Sequence, residues 1–181
     1  MKKIVLITGS PRKKGNSNCM ANSFEKAALK KGMDVARFDA TAMKINGCLA
    51  CNQCYSKEQA CYFDYDFDKI ANELINADGI VISSPVYWYT FPAQIKAVID
   101  KFYAIYSHGH TFEGKKCGLI SCCEEENKNT FTGIEFAFDK TFELMKCENV
   151  GKVLIPGVVE VGDIEKTDGE KKAAALVELF K

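Results

Sequence analysis

The sequence predicts a doubly wound α/β domain, in which helices cover both faces of a sheet of five parallel strands. Two observations lead to this fold class. Short apolar runs alternate along the chain with segments of helical periodicity, and that order gives parallel strands joined by right-handed crossovers. The length of 181 residues fits one domain, because single domains commonly run about 100 to 200 residues. We therefore expect residues 1–181 to form a single domain.

The strands are predicted from short runs rich in β-branched residues. Residues 2–8 are almost continuously apolar, as expected for a strand buried on both faces of a parallel sheet. Residues 34–39 alternate apolar and polar side chains, which is typical of a strand nearer the sheet edge. Three later apolar runs complete the sheet, at residues 79–84, 116–123 and 150–155.

Helices are predicted where apolar residues recur every three or four positions. Residues 17–31 show this spacing through Met20 and Phe24, and Gly32 supplies a stop signal. In residues 91–106, Ile95, Val98 and Phe102 fall on one face. The other predicted helices are residues 66–77, 131–146 and 168–180. A cysteine-rich insertion at about residues 47–65 separates the second strand from the second helix.

The charge balance narrows the class of partner. Lys plus Arg and Asp plus Glu number 24 each, so no net positive field exists to attract a nucleic-acid backbone. The apolar run at the amino terminus is too short for a signal-peptide core. No segment approaches the roughly 20 apolar residues of a membrane helix. We therefore expect a soluble, cytoplasmic protein that binds neither nucleic acid nor membrane.

The loop after the first strand, GSPRKKGNSN at residues 9–18, has the features of an anion site. It leads directly into a helix, whose first N–H groups and positive dipole end attract phosphate, and its hydroxyls and arginine add donors. It is not a Walker A loop, because Gly9 and Gly15 are one residue too far apart and Asn16 stands where lysine is required. A terminal monophosphate fits better than a triphosphate or pyrophosphate. The alternative is a solvated basic turn with Ser17 as a helix cap.

Three consecutive aromatic residues, Tyr87 to Tyr89, follow the third strand within SSPVYWYTFPAQIK at residues 83–96. The three side chains cannot all turn inward together at a strand end, so at least one of them faces the cleft. In open parallel sheets, ligands bind beyond the carboxyl ends of the strands. A planar ligand at this edge explains the pattern.

The two motifs together, GSPRKKGNSN and SPVYWYTFPAQIKAVIDKF, resemble those of the NADPH-dependent FMN reductases and iron-sulfur flavoproteins of the flavodoxin-like superfamily. The resemblance spans most of the chain and implies a flavodoxin-like sheet of order 2-1-3-4-5. It implies that the FMN phosphate is held by Ser10, Arg12, Asn16, Ser17 and Asn18. It implies that the isoalloxazine edge lies along Pro85, Val86, Tyr87 and Trp88. A third contact is implied after the fourth strand, at Ser121, where many relatives carry glycines.

Four of the nine cysteines are clustered in a C-x2-C-x2-C-x6-C run, namely Cys48, Cys51, Cys54 and Cys61. Three thiolates at two-residue gaps can wrap one corner of an iron-sulfur cubane, and a fourth can arrive after a short loop. Zinc more often uses two separated pairs. The run resembles the cysteine motif of iron-sulfur flavoproteins, which implies a [4Fe–4S] cluster near the flavin. Zinc, free thiols and a disulfide stay open as alternatives.

The leading functional hypothesis is an oxidoreductase in which bound FMN accepts electrons from NAD(P)H and passes them to a flavin, quinone or other small acceptor. The flavin carries this chemistry, so no catalytic residue is assigned. The second hypothesis is an iron-sulfur electron carrier that serves ferredoxin-like partners, and the third is a non-redox binding module.

Two features have less specific interpretations. The resemblance implies a homodimer, and we expect the aromatic residues Tyr103, Tyr106 and Phe112 to be exposed where they suit such an interface. His108 and His110 either contact a metal or substrate or are solvated.

Overall fold

The computed structural model describes residues 1–181 and contains one five-stranded parallel sheet of order β2-β1-β3-β4-β5. The order and the number of strands confirm the predicted topology. The strands are β1 (Lys3–Thr8), β2 (Asp34–Asp39), β3 (Gly79–Pro85), β4 (Lys116–Cys122) and β5 (Glu148–Ile155). Each lies within two residues of its predicted position. The alternating run at 34–39 forms an edge strand, as predicted.

Six α-helices cover the sheet: α1 (Asn16–Lys30), α2 (Tyr65–Asn76), α3 (Ala93–Asp100), α4 (Phe102–Ser107), α5 (Thr132–Leu144) and α6 (Gly169–Leu176). A 3₁₀ turn, Val177–Phe180, continues α6. The prediction of a single helix over residues 91–106 is wrong in one respect, because Lys101 divides this segment into α3 and α4. The Lys101 N–H donates to the Val98 carbonyl at 3.1 Å. The two residues are three apart, as in the more tightly wound 3₁₀-helix, and not four apart as in an α-helix. No helix in the structure combines the length and the apolar character that crossing a membrane requires.

Two apolar layers enclose the sheet, because alternate residues of each strand point to opposite faces. On one face, Val5 and Ile7 pack with buried residues of α2, α3, α4 and α5. On the other, Ile4 and Leu6 pack with residues of α1 and α6. This division confirms the doubly wound arrangement.

The expected exposure of Phe112 is wrong. Its side chain is fully buried and packs against Phe102 and Phe142, with ring centroids 5.3 and 6.3 Å away. A single apolar residue in a loop can complete a core, and the local sequence does not reveal that it is buried. Tyr103 and Tyr106 are exposed, as expected.

The register of the sheet brings three strand ends to one edge. Thr8 of β1 pairs with Ser83 of β3, and Ser84 pairs with Ser121 of β4. The loops that follow β1, β3 and β4 therefore leave the sheet side by side. This edge positions the candidate site.

Candidate functional site

A cleft of about 520 Å³ lies at the carboxyl edge of the sheet. Four loops line it, which we name the phosphate loop (residues 9–18), the aromatic loop (residues 85–92), the β4 loop (residues 122–127) and the β5 loop (residues 156–162). The lining residues are Ser10, Arg12, Gly15, Asn16, Ser17, Pro85, Val86, Tyr87, Trp88, Cys122, Cys123, Glu124, Val158, Val159, Glu160 and Val161. The cleft thus brings together most of the residues predicted to contact the phosphate and all of those predicted to contact the ring, whereas Asn18 and Ser121 do not line it.

The phosphate loop is a tight turn that its own side chains brace. The Asn18 amide donates to the carbonyls of Ser10 and Arg12, at 3.2 and 2.9 Å, and the Gly15 N–H donates to the Arg12 carbonyl at 2.7 Å. A Cβ at Gly15 would lie 2.8 Å from Ser10 Oγ and 2.9 Å from that carbonyl, so the turn requires glycine. The Arg12 guanidinium is exposed and has no hydrogen-bond or ion-pair partner. Asn18 therefore shapes the loop, and Arg12 is left available to a ligand.

The first turn of α1 faces the same cleft without a side-chain cap. Gly15 occupies the N-cap position and provides no side-chain acceptor, and the turn contains no acidic residue. Ser17, which was the alternative cap, lies inside the helix instead. The free N–H groups and the positive end of the helix dipole are the elements that bind a phosphate.

Asn16 has a structural task that its predicted role did not include. Its side-chain amide donates to the Glu160 carbonyl at 3.0 Å and accepts from the N–H groups of Gly162 and Ile164, both at 3.3 Å. The side chain therefore ties α1 to the β5 loop, and only its backbone N–H is left for a phosphate. The β5 loop was missed from sequence because it has no motif and lies about 144 residues away.

The aromatic loop presents Trp88 at the tip of a tight hairpin. The Tyr87 and Thr90 backbones exchange hydrogen bonds of 3.0 and 3.1 Å. The two residues between them, Trp88 and Tyr89, have positive φ of 46° and 64°, as type I′ turns require. Bulky residues rarely adopt this conformation, and such outliers concentrate at ligand-binding sites. Trp88 is 93% exposed, so its ring is free to cover a ligand.

The β4 loop supports the aromatic loop. The Glu125 carboxylate accepts a hydrogen bond from the Tyr89 hydroxyl at 3.3 Å and another from Thr130 Oγ1. Glu125, the middle one of three consecutive glutamates in this loop, therefore ties the β4 loop to the aromatic loop. Ser121 is fully buried, and its hydroxyl donates to the Ser84 carbonyl at 2.8 Å. Ser121 joins β4 to β3 behind the cleft, and the next three residues line the cleft instead.

A second cavity, of about 450 Å³, lies in the cysteine-rich segment. All four predicted ligands line it. Cys48 and Cys51 are exposed, whereas Cys54 and Cys61 are half-buried. Burial raises the pKa of the Cys54 thiol, and a hydrogen bond with Ser107 opposes that shift. The cavity lining consists of Asn46, Gly47, Cys48, Leu49, Ala50, Cys51, Asn52, Cys54, Cys61, Tyr62, Phe63, Asp64, Lys101, Tyr103 and Ala104.

Four cysteine thiols are the kind of donor set that iron-sulfur clusters use, and here all four line one cavity. No three His, Cys, Asp or Glu side chains lie close enough together to hold a single metal ion. His108 is exposed and stacks against Tyr55, with ring centroids 4.1 Å apart. His110 is exposed, and neither histidine lines a cavity described above.

A buried ion pair lies beside the thiols. Lys101 Nζ is 2.6 Å from Asp64 Oδ2, and each side chain is 4% exposed. Nζ also donates to Cys61 Sγ at 3.2 Å. Burial opposes the charged form of Lys101, but its hydrogen bonds to Asp64 and Cys61 outweigh burial and raise its pKa. Lys101 was missed from sequence, because it lies 40 residues from Cys61 inside an ordinary helical pattern.

The topology and the cleft define a flavodoxin-like redox protein whose cleft fits a flavin mononucleotide. The uncapped helix end, the free guanidinium and the exposed aromatic ring are the features that such a ligand requires. The chain belongs to the NADPH-dependent FMN reductase family, whose model matches residues 2–129. It is accordingly an oxidoreductase of the FMN-dependent NAD(P)H type.

Sequence relatives include two archaeal iron-sulfur flavoproteins. One from Archaeoglobus fulgidus is 31% identical over 180 residues, which cover 98% of this chain and 80% of that protein. One from Methanocaldococcus jannaschii is 35% identical over 103 residues, which cover 57% of this chain and 52% of that protein. The chain thus matches about half the length of the second relative.

Solved structures confirm the fold. An NAD(P)H:quinone oxidoreductase from Methanothermobacter marburgensis superimposes with a TM-score of 0.75 at 17% identity, over 97% of this chain and 94% of that one. An FMN-dependent NADH-azoreductase from Bacillus anthracis, in complex with FMN, gives a TM-score of 0.74 at 12% identity, over 98% of both chains. At these identities the likeness concerns the fold alone.

Proposed function

We propose that the cleft binds FMN and that the protein transfers electrons from NAD(P)H through FMN to a small neutral acceptor such as a quinone. The observation that carries this proposal is that two chemically different loops, the phosphate loop and the aromatic loop, line one cleft of about 520 Å³. The phosphate loop contributes an uncapped helix terminus and a free guanidinium, and the aromatic loop contributes an exposed tryptophan on a tight hairpin.

The residues of the cleft have separate tasks in this proposal. Ser10, Arg12 and Ser17, with the first N–H groups of α1, bind the phosphate. Pro85, Val86, Tyr87 and Trp88 lie along the ring, and the valines of the β5 loop add apolar surface to the same cleft. Asn16 and Asn18 hold these loops in place from behind. FMN supplies hydride acceptance at its ring when bound, so the chain needs no acid or base of its own.

The charges of the cleft support a neutral acceptor. Glu124 and Glu160 line it together with a single cation, Arg12, which the phosphate would neutralise. The remaining negative charge disfavours an anionic acceptor, and the anionic donor NAD(P)H would have to offset the same repulsion by stacking its nicotinamide ring on the flavin. Quinones carry no charge and can stack on a planar ring.

Trp88 makes the proposal directly measurable, because it is the only tryptophan in the chain. Adding FMN to the flavin-free protein should quench Trp88 fluorescence, and Trp88→Phe should remove the signal without abolishing binding. Anaerobic mixing with NADH or NADPH should bleach the flavin, and a quinone should restore its colour with ping-pong kinetics. A colourless protein that fails to bind added FMN would contradict the proposal.

A second candidate function is electron transfer through a [4Fe–4S] cluster. Its support is the convergence of Cys48, Cys51, Cys54 and Cys61 on one cavity, together with the curated relatives that are named iron-sulfur flavoproteins. These four cysteines would hold the cluster, which supplies single-electron chemistry.

Iron and acid-labile sulfide of anaerobically purified protein test this candidate, with about four of each expected per chain. Cys51→Ser should lower both, and Cys19→Ser, which lies on α1 away from the cavity, should not. Fast reduction by ferredoxin and slow reduction by NAD(P)H would favour the carrier, and the reverse order would favour the reductase.

We also propose a homodimer. Its support is the exposure of Tyr103 and Tyr106 on one short helix, α4, since aromatic residues are enriched at interfaces. Sedimentation of the wild type and of Tyr106→Glu tests it. The wild type should sediment as a dimer and the variant as a monomer.

A further inference from the structure

Lys101 is a buried cation in direct contact with one thiol of the cysteine cavity. Its side chain is 4% exposed, and Nζ lies 3.2 Å from Cys61 Sγ. Lysine is almost never buried to this degree without a charged partner, and here Asp64 is that partner at 2.6 Å. The ammonium therefore stays charged inside the protein, beside a sulfur that faces the cavity.

Only one member of the ion pair, Lys101, makes a direct contact with a thiol of the cavity. Asp64 also accepts hydrogen bonds from the Asn46 backbone N–H at 2.9 Å and the Asn46 side chain at 3.1 Å. The carboxylate is thus held by three donors, and it reaches the thiol only through Lys101. The ammonium makes the sulfur contact itself. Cys48, in contrast, receives only a neutral donor, the Ala50 N–H at 3.5 Å.

We propose that Lys101 is a positioning residue that raises the reduction potential of the cluster held by the four cysteines, and that Asp64 moderates this effect. The inference rests on the proposed cluster. When the cluster takes up one electron from a reductant such as dithionite, its negative charge grows by one unit and no bond forms or breaks. A neighbouring positive charge stabilises the reduced form more than the oxidised form, because the attraction grows with the charge.

Opposite charge changes should therefore have opposite effects. Lys101→Gln leaves the Asp64 carboxylate uncompensated beside the cavity, so the potential should fall. Asp64→Asn leaves the ammonium uncompensated, so the potential should rise. Lys101→Arg keeps the charge and should stay near the wild-type value. If the ion pair had only a structural role, the two substitutions would not shift the reduction potential in opposite directions.

The experiment is anaerobic reconstitution of each variant with ferrous iron and sulfide, followed by potentiometric titration of the cluster signal. Lys96→Gln is the matched control, because Lys96 is a half-exposed lysine of α3 that pairs with Asp100. We expect the reduction potential of the Lys101→Gln variant to lie below that of the wild type and that of Asp64→Asn to lie above it. The potentials of Lys101→Arg and Lys96→Gln should stay close to the wild-type value.

The possible failures are distinguishable. A wild type that takes up no iron overturns the cluster, and the role of Lys101 with it. A loaded wild type whose potential is unchanged in both charge variants, or shifts in one direction in both, overturns only the role of Lys101. If Lys101→Gln does not fold, Asp64→Asn decides, and a potential equal to or below the wild-type value then refutes the inference.

Discussion

Replacing Arg12 by alanine tests the phosphate end of the cleft without disturbing the fold. The guanidinium is exposed and has no partner within the chain. The turn around it is held by backbone groups and by Asn18, which the substitution leaves intact. Arg12→Ala should therefore unfold at the same urea concentration as the wild type.

The loss of FMN affinity can be worked out from the bond that disappears. A hydrogen bond to a charged group contributes about 1.5 to 3 kcal/mol, and about 1.4 kcal/mol corresponds to a tenfold change in Kd. Arg12→Ala should therefore weaken FMN binding by about 10- to 150-fold. Arg12→Lys keeps the charge but loses the planar pair of donors, so its loss should be smaller.

Riboflavin, which lacks the phosphate, separates this contact from every other effect. Titration of flavin-free protein with FMN and with riboflavin gives both affinities for each variant. Arg12→Ala should lower the affinity for FMN and leave the affinity for riboflavin unchanged. Lys13→Ala removes an exposed charge from the same loop that does not line the cleft, and it should change neither affinity by more than about twofold. Equal losses for FMN and riboflavin, or no loss for FMN, would refute the assignment of Arg12 to the phosphate.

Three further outcomes are expected. A Cβ added at Gly133 would overlap the carbonyl oxygen of Tyr89, so Gly133→Ala should displace the aromatic loop and weaken FMN and riboflavin alike in the same titration. Alkylation of the metal-free native protein at pH 8, followed by mass spectrometry, should label the exposed Cys48 rapidly and Cys122 slowly, because burial raises the pKa of Cys122 to about 12; equal labelling would contradict this. Removing one member of a buried ion pair typically costs about 3 to 5 kcal/mol, so Lys101→Gln should lower the free energy of unfolding in urea by about that amount, and a loss below about 1 kcal/mol would show that the pair adds little.

The fold could be predicted from sequence because each element carries its own local signal. The strand at Lys3–Thr8 is apolar on both faces, and the helix at Asn16–Lys30 has a helical apolar stripe and a glycine after it. Alternation of the two element types then leaves few topologies. The phosphate and aromatic loops were located for the same reason, since each is a short motif directly after a strand.

The roles of single side chains depended on partners far along the chain and could not be predicted. Asn16 belongs to the phosphate motif, but its amide is bound to the β5 loop about 144 residues away. Ser121 follows the pattern of a cleft residue, but one step along β4 decides whether a hydroxyl faces the cleft or a neighbouring strand. Phe112 is buried for the same kind of reason. Tertiary contacts, which leave no periodicity, determined all three.

Helix α3 connects the two candidate redox sites, and this explains why Lys101 lies where it does. The aromatic loop ends at Pro92, the N-cap of α3, and Lys101 directly follows its last turn. The phosphate loop also packs on this helix, because a Cβ at Gly9 would overlap the side chain of Ile95. An eight-residue helix is about 12 Å long. The buried face of α3 thus sets the positions of the phosphate loop, the aromatic hairpin and the cysteine cavity together, so a shift of this one helix would alter both sites at once.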